Sequence, residues 1–354
     1  MAILTIVMVY WAVNSYEQHE TYGFEIKVTA VEKMESAINL LREEFINRGI
    51  NNGKDSLAFG SFLLGPQRSI IQTTRGSRDS KLSTLNPDFA AMITEMLIEL
   101  ELDSSSKVAV SYTGSYPGGN IAVLSALEAM NIEASIISSC GSSSFGATNP
   151  EMTWIDMENI LFNKIFSNKS GMASIGGGND LGSQMGNEGI VICEKSISNL
   201  EVIPIFEKNR EYNINQRLSF FNNGSKPELL INVGGGIFTM GDSLTRNMIP
   251  YGIIYPHDLE FDLTNSIASK VLLTMPLINI NHIKDLTFIY NLPFPPNIDT
   301  KPRNGTLFYI KTEYNRKIIL TAFLISLLSV LWIGIISHNE INKRMHSSEP
   351  ESIL

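Results

Sequence analysis

The sequence predicts an α/β fold: a mostly parallel sheet with helices on both faces, flanked by hydrophobic membrane segments at both ends. Three observations predict it. Short apolar runs alternate with helix-periodic stretches through the middle of the chain. Glycine-rich turns follow several of those runs. An uncharged, Pro-free stretch of bilayer length stands near the C-terminus. Strand, turn and helix in repetition imply parallel strands joined by crossover helices, which cover both faces of the sheet.

The C-terminal stretch, 318–336, reads IILTAFLISLLSVLWIGII. As a helix it reaches about 28 Å at ~1.5 Å per residue, close to the hydrocarbon thickness of a bilayer. Arg316 and Lys317 precede it, His338, Lys343 and Arg344 follow it, and Trp332 falls near one interface, where an indole is favoured. It is read as a transmembrane helix followed by a polar tail, 337–354. Residues 2–13, AILTIVMVYWAV, are apolar but too short to span alone. Neither a basic region ahead of them nor a small-x-small site behind them marks a signal peptide. Residues 1–14 are therefore expected to be an inserted membrane segment, the remnant of a longer helix, with 15–314 as the soluble domain. Two inserted ends form a hairpin with both termini on one side and the domain on the other. Lys343 and Arg344 favour an outward-facing domain, Arg316 and Lys317 oppose it, and the outward placement is the one adopted.

The chain of 354 residues is 44% hydrophobic and carries a net charge of −9. Such a field repels nucleic acid and other polyanions, so any bound anion needs local backbone donors or a few placed cations. The two cysteines, Cys140 and Cys193, are too few for a disulfide scaffold or a cysteine zinc site, and leave the compartment open.

Residues 31–48 have helical periodicity, with Gly49 as a stop. Residues 50–85 read as irregular and hold the cluster Thr73-Thr74-Arg75-Gly76-Ser77-Arg78. Asn86 and Pro87 open a helix as N-cap and first residue. Strands are expected at 107–112, 134–139, 202–206, 229–233 and 271–278. Helices are expected at 120–130, 152–165, 208–221 and 283–290.

Ligands of open parallel sheets bind beyond the carboxyl ends of the strands, and the glycine-rich turns fall there. The first runs from Ser111 through Thr113, Gly114, Ser115 and Gly118 to Asn120. A strand feeds it and a helix leaves it, so free N–H groups and small side chains suit an anion. A tight turn capped by Asn120 is the bland alternative. The second runs from Ser139 through Ser142 to Thr148 and Asn149. Two further turns contain Gly177 with Asp180, and Gly235. None is a Walker A loop, and 176–182 matches a dinucleotide turn only loosely. No metal site or cofactor is specified. Asp156 is a candidate acid or base; Glu158, two positions on, points to another side of a helix, and a first-turn carboxylate favoured by the helix dipole is the equal alternative for Asp156. Ser115 is a candidate nucleophile on a sharp turn, without the Gly-x-Ser-x-Gly pattern of hydrolase elbows. His257 and His282 are the histidines of the folded part.

Several ordered motifs carry a resemblance: STLNPDFAAM at 83–92, SYTGSYPGGNIAVLSALEAM at 111–130, IISSCGSSSFGATNPEMTWIDME at 136–158, GGGNDLG at 176–182, INVGGG at 231–236 and LPFPPN at 292–297. Together they resemble the bacterial poly-γ-glutamate system protein family (PgsW-like) over nearly the whole chain. Departures include Thr113-Gly114-Ser115 where that family shows SGS, Phe145 in place of Trp and Thr148 in place of Asn. The resemblance implies a cell-membrane accessory protein of poly-γ-glutamate capsule synthesis or export, working beside the membrane subunits of the synthase. It would hold a polyglutamate end or another small anion on the strand-end loops. A hydrolase or transferase acting on an amide or phosphate through Ser115 or Asp156, and a structural scaffold for the synthase, are the alternatives.

Overall fold

The computed structural model describes residues 2–50, 59–256, 258, 266–295 and 309–347. His257 and the last two residues of the LPFPPN motif lie outside them. In chain order the elements begin with α1 (Ala2–Val13), β1 (Tyr16–Glu20), α2 (Phe24–Asn47), β2 (Gln72–Thr74), α3 (Arg78–Ser83), α4 (Asp88–Glu99) and β3 (Lys107–Thr113). There follow α5 (Pro117–Ala129), β4 (Glu133–Ser139), β5 (Ser142–Ser143), α6 (Trp154–Leu161), β6 (Ser170–Ser174), α7 (Asn187–Leu200), β7 (Ile203–Ile205), α8 (Arg210–Phe221) and β8 (Leu229–Val233). The last are α9 (Ile237–Met240), α10 (Ser243–Met248), β9 (Gly252–Ile254), α11 (Ile267–Val271), β10 (Leu277–Ile280), α12 (Ile283–Ile289), β11 (Ile310–Tyr314) and α13 (Arg316–Ser347).

The chain divides into two units, Met1–Thr21 with Ile310–Leu354, and Tyr22–Tyr309. The terminal unit reaches further inward than the sequence boundaries of 14 and 318: β1 and β11 belong to it and pair antiparallel, Tyr16 opposite Tyr314 and Glu20 opposite Ile310. Here α1 packs beside α13. The helix α13 is long and apolar enough to cross a membrane, and its Leu328, Trp332 and Ile335 are more than 60% exposed, as a lipid-facing helix requires. It continues through the first part of the tail that the sequence left as a polar extension. At 12 residues, α1 is short of a span.

In Tyr22–Tyr309 a seven-stranded sheet has the order β7-β6-β4-β3-β8-β10-β9. All its pairings are parallel except that of the edge strand β9 with β10. Successive residues of the central strands enter opposite cores, as the pleat demands. Val108, Val110 and Tyr112 of β3 and Ile231 and Val233 of β8 join α2, α4, α5, α6 and α7 in one apolar cluster. Ala109 and Leu230 join α8, α9 and α11 in the other. Helices thus cover both faces. The order reverses at β3, which has β4 on one side and β8 on the other; such a switch point opens a crevice beyond the strand ends.

Several expected elements move. The strand expected at 271–278 is a helix end, a turn and then β10, because Pro276 lacks the N–H a ladder needs. The helix expected from Asn120 begins at Pro117, the first-turn position proline favours. Asn120 therefore does not cap it; its Nδ2 donates to the Thr113 carbonyl at 2.9 Å. The strand β6 and the short elements β2 and α3 occupy stretches read as irregular or left unassigned. The helix expected to open with Asn86 as cap and Pro87 as first residue starts one residue later, at Asp88, with Pro87 in the cap position; Asn86 Oδ1 accepts the Asp88 N–H at 3.0 Å just ahead of it. The two cysteines form a buried disulfide that ties the end of β4 to α7.

Candidate functional site

Beyond the carboxyl ends of β3, β4, β6 and β8 lies a cleft of about 640 Å³. Thr113 ends β3 on one wall. The turn after β8 supplies Gly235 and Gly236 opposite. This corner needs glycine at 234, where φ is +92° and a Cβ would collide with Thr113 Oγ1. The turn after β6 supplies Gly176–Gly178 and Asp180. Asp180 is buried; it pairs with Arg217 of α8 and accepts Ser174 Oγ–H at 2.8 Å. Burial pushes its carboxyl above the ordinary range, with Arg217 and the Ser174 bond pulling against it.

A two-stranded parallel ladder builds the remaining wall. It aligns Gln72 with Ser142 and Thr74 with Ser143, and Ser144 N–H donates to the Thr74 carbonyl at 2.9 Å. The chain then turns at Gly76 into α3, whose N-cap Ser77 accepts Ser80 N–H. The helix delivers Lys81, 1% exposed, under the wall. Lys81 Nζ lies 2.8 Å from Ser143 Oγ and 3.5 Å from the centroid of the Tyr116 ring. Burial pulls the Lys81 ammonium down from 10.5 to about 7, since no carboxylate among the described residues pairs with it. Ser143 N–H donates to Ser115 Oγ at 3.1 Å, which leaves the Ser115 hydroxyl hydrogen for the cleft. Arg75, exposed and without an ion pair among the described residues, and Arg246, whose guanidinium donates to the Gly235 carbonyl at 3.0 Å, add two fixed cations.

Of the residues singled out from sequence, Thr113, Ser115, Ser139, Gly177, Asp180, Gly235 and His282 converge on this cleft. The others do not. Ser111 is buried and shares a 2.6 Å hydrogen bond with Thr239. Gly114 and Gly118 are pressed against the carbonyls of Cys140 and Thr84, with no room for a ligand. Asn120 turns inward, as described. Ser142 is fully buried and donates to the Ser143 carbonyl at 2.9 Å. Thr148 donates to the Pro66 carbonyl at 2.7 Å and Asn149 accepts Glu151 N–H at 2.9 Å, both away from the cleft.

Asp156 is no acid or base of this site. Its Oδ2 accepts Thr153 N–H, Thr153 Oγ1–H and Ser196 Oγ–H at 2.9, 2.7 and 3.0 Å, closing a capping box at the start of α6. The first-turn alternative was the apt one. Asp156→Ala is expected to lower the unfolding free energy by about 1 kcal/mol and to leave ligand affinity at the cleft unchanged; denaturant titration and calorimetry read the two. Glu158 is equally remote, buried at the sheet where it accepts Ser170 N–H and Oγ–H at 3.1 and 2.9 Å.

Lys81, Ser143, Tyr116 and Arg246 were not singled out from sequence. The Thr73–Arg78 cluster was noticed without a role, and its parallel pairing with 142–143 is what brings it to the cleft. No known protein-family model, curated protein or solved structure matches this chain.

Proposed function

We propose that the protein is a membrane-anchored accessory factor of poly-γ-glutamate synthesis or export, and that its cleft holds a carboxylate-bearing polymer end or a small anion of the same chemistry. What supports the reading is a local set of placed cations and hydroxyl donors. In a chain of net charge −9, the cleft presents Arg75 and Arg246 beside the hydroxyls of Thr73, Thr113, Ser115 and Ser139. Two acidic groups share the cleft: Asp180, which is tied to Arg217, and Asp242. Placed cations and neutral donors are what an acidic protein needs to hold an anion. The motif resemblance supplies the polymer; the cleft chemistry supplies the anion. The spanning helix α13 supports attachment beside membrane subunits of a synthase. The Cys140–Cys193 bond favours an oxidising, extracytoplasmic side for the domain.

The test is calorimetry of the full chain in detergent with γ-linked glutamate oligomers. Binding is expected in the wild type, with affinity falling roughly tenfold or more in Arg75→Gln and in Arg246→Gln, the usual cost of a lost charge-assisted hydrogen bond. Ser115→Ala is expected to weaken binding by less. No binding by the wild type, or equal binding by all four proteins, would discard the reading.

A further inference from the structure

The cleft contains chemistry that anion binding alone does not use. A buried lysine is costly unless paired, yet Lys81 has no carboxylate within ion-pair distance among the described residues. Its amine faces the hydroxyl of Ser143 at 2.8 Å, with the Tyr116 ring on another side. Ser143 is itself a cleft-lining residue. We propose that Ser143 is a nucleophile activated by Lys81, and that the cleft carries out acyl transfer from an amide whose flanking carboxylate is held by the neighbouring arginines. The substrate class rests on the anion-binding reading above; the nucleophile and base rest on the geometry alone.

A serine hydroxyl is a weak nucleophile until a neighbouring base takes its proton, and an uncharged lysine within hydrogen-bond reach can be that base. Lys81 meets the requirement because burial keeps its amine largely deprotonated just above neutral pH. The charged groups that line the same cleft are Arg75, Arg246, Asp180 and Asp242, with His282 titratable beside them; Arg78 and Asp79 stand on α3 itself. In the reaction Ser143 Oγ bonds to the amide carbonyl carbon as its proton passes to Lys81 Nζ. The carbonyl oxygen takes the negative charge, and the Ser115 hydroxyl, positioned by Ser143 N–H, donates to it. The C–N bond then breaks, the proton moves from Lys81 to the departing nitrogen, and an ester remains on Ser143. Water or a second amine, deprotonated by Lys81, takes the acyl group, and Ser143 regains its proton. Water gives hydrolysis; an amine gives transpeptidation of the chain.

A fluorophosphonate probe tests the pair, applied to the full chain in detergent, with the adduct located by mass spectrometry. The expected result is one adduct, on Ser143, with a labelling rate that rises with pH and is half-maximal near 7. Lys81→Met should slow labelling at least 100-fold and Ser143→Ala should abolish it, with each variant's melting curve recorded in parallel. The single-hydroxyl change Ser143→Ala keeps the test sound should Lys81→Met misfold. No adduct, an adduct on Ser115 instead, or an undiminished rate in a folded Lys81→Met protein would overturn the assignment. Oligomer binding without labelling would remove the nucleophile and leave the anion site standing. Labelling without oligomer binding would overturn the proposed substrate class.

Discussion

Replacing Lys81 by methionine is expected to stabilise the protein at pH 6 by on the order of 5 kcal/mol. The folded-state ammonium is pulled from 10.5 to about 7 by burial, so below 7 the chain folds only by burying a charge. The sign follows from proton counts. Between about 7 and 10.5 the unfolded chain binds more protons at this residue than the folded one, so the wild type gains stability as pH rises through that window. The full contribution is present above 10.5 and lost as pH falls to 7. Methionine preserves the packed stem and removes the titration, so the difference between the two proteins should be largest at and below pH 6 and vanish near pH 10.5. Glu158 works in the opposite sense: burial raises it from 4.5 to about 7 against the bonds from Ser170 and Ser138. Its favourable contribution is complete below 4.5 and lost as pH climbs to 7. Denaturant titrations of both proteins from pH 5 to 10 measure the difference. A pH-independent gap would show that Lys81 is not held in the dry environment described. Stability gained on removing Lys81 is the trade-off expected of the proposed base.

The second large effect concerns Cys140 and Cys193. Their bond closes a loop with a sequence separation of 53, and constraint of the unfolded chain by a loop of that length is worth about 4 kcal/mol. Reduction, or Cys140→Ser with Cys193→Ser, is expected to lower the unfolding free energy by about that amount. Cys140 directly follows β4 and precedes the segment that presents Ser143, so the same change should also reduce fluorophosphonate labelling. Equal denaturant midpoints with and without reductant would show that the bond does not stabilise the fold.

The strands β3, β4 and β8 were legible because continuous apolar runs, bounded by turns, are what a doubly covered parallel strand requires. The strand β6, SGMAS, was not: its small polar residues look like a loop, and only its burial between β4 and β7 makes it a strand. The first turn was legible as a corner and misleading as a contact surface. Ser115 reaches the cleft, whereas Gly118 and Asn120 serve the packing of α5, because tight helix–sheet approach and ligand approach select the same small residues. Lys81 left no periodic or motif signal. One lysine in a six-residue helix becomes notable only when a ladder between residues 72–74 and 142–143 brings Ser143 to it across 62 positions of sequence. The cysteines, too few for a disulfide scaffold, still form a single bond between the end of β4 and α7.

The antiparallel pairing of β1 with β11 has a practical consequence. Glu20 stands opposite Ile310, so the chain departs for its large inner unit and returns from it at neighbouring positions of one ribbon. In connectivity the whole Tyr22–Tyr309 unit is an insertion into the bend of a hairpin, and closing such adjacent ends costs little chain entropy. It can therefore be transplanted into another hairpin, cyclised, or given new termini at an exposed turn, while the original hairpin can be bridged by a few residues and studied by itself.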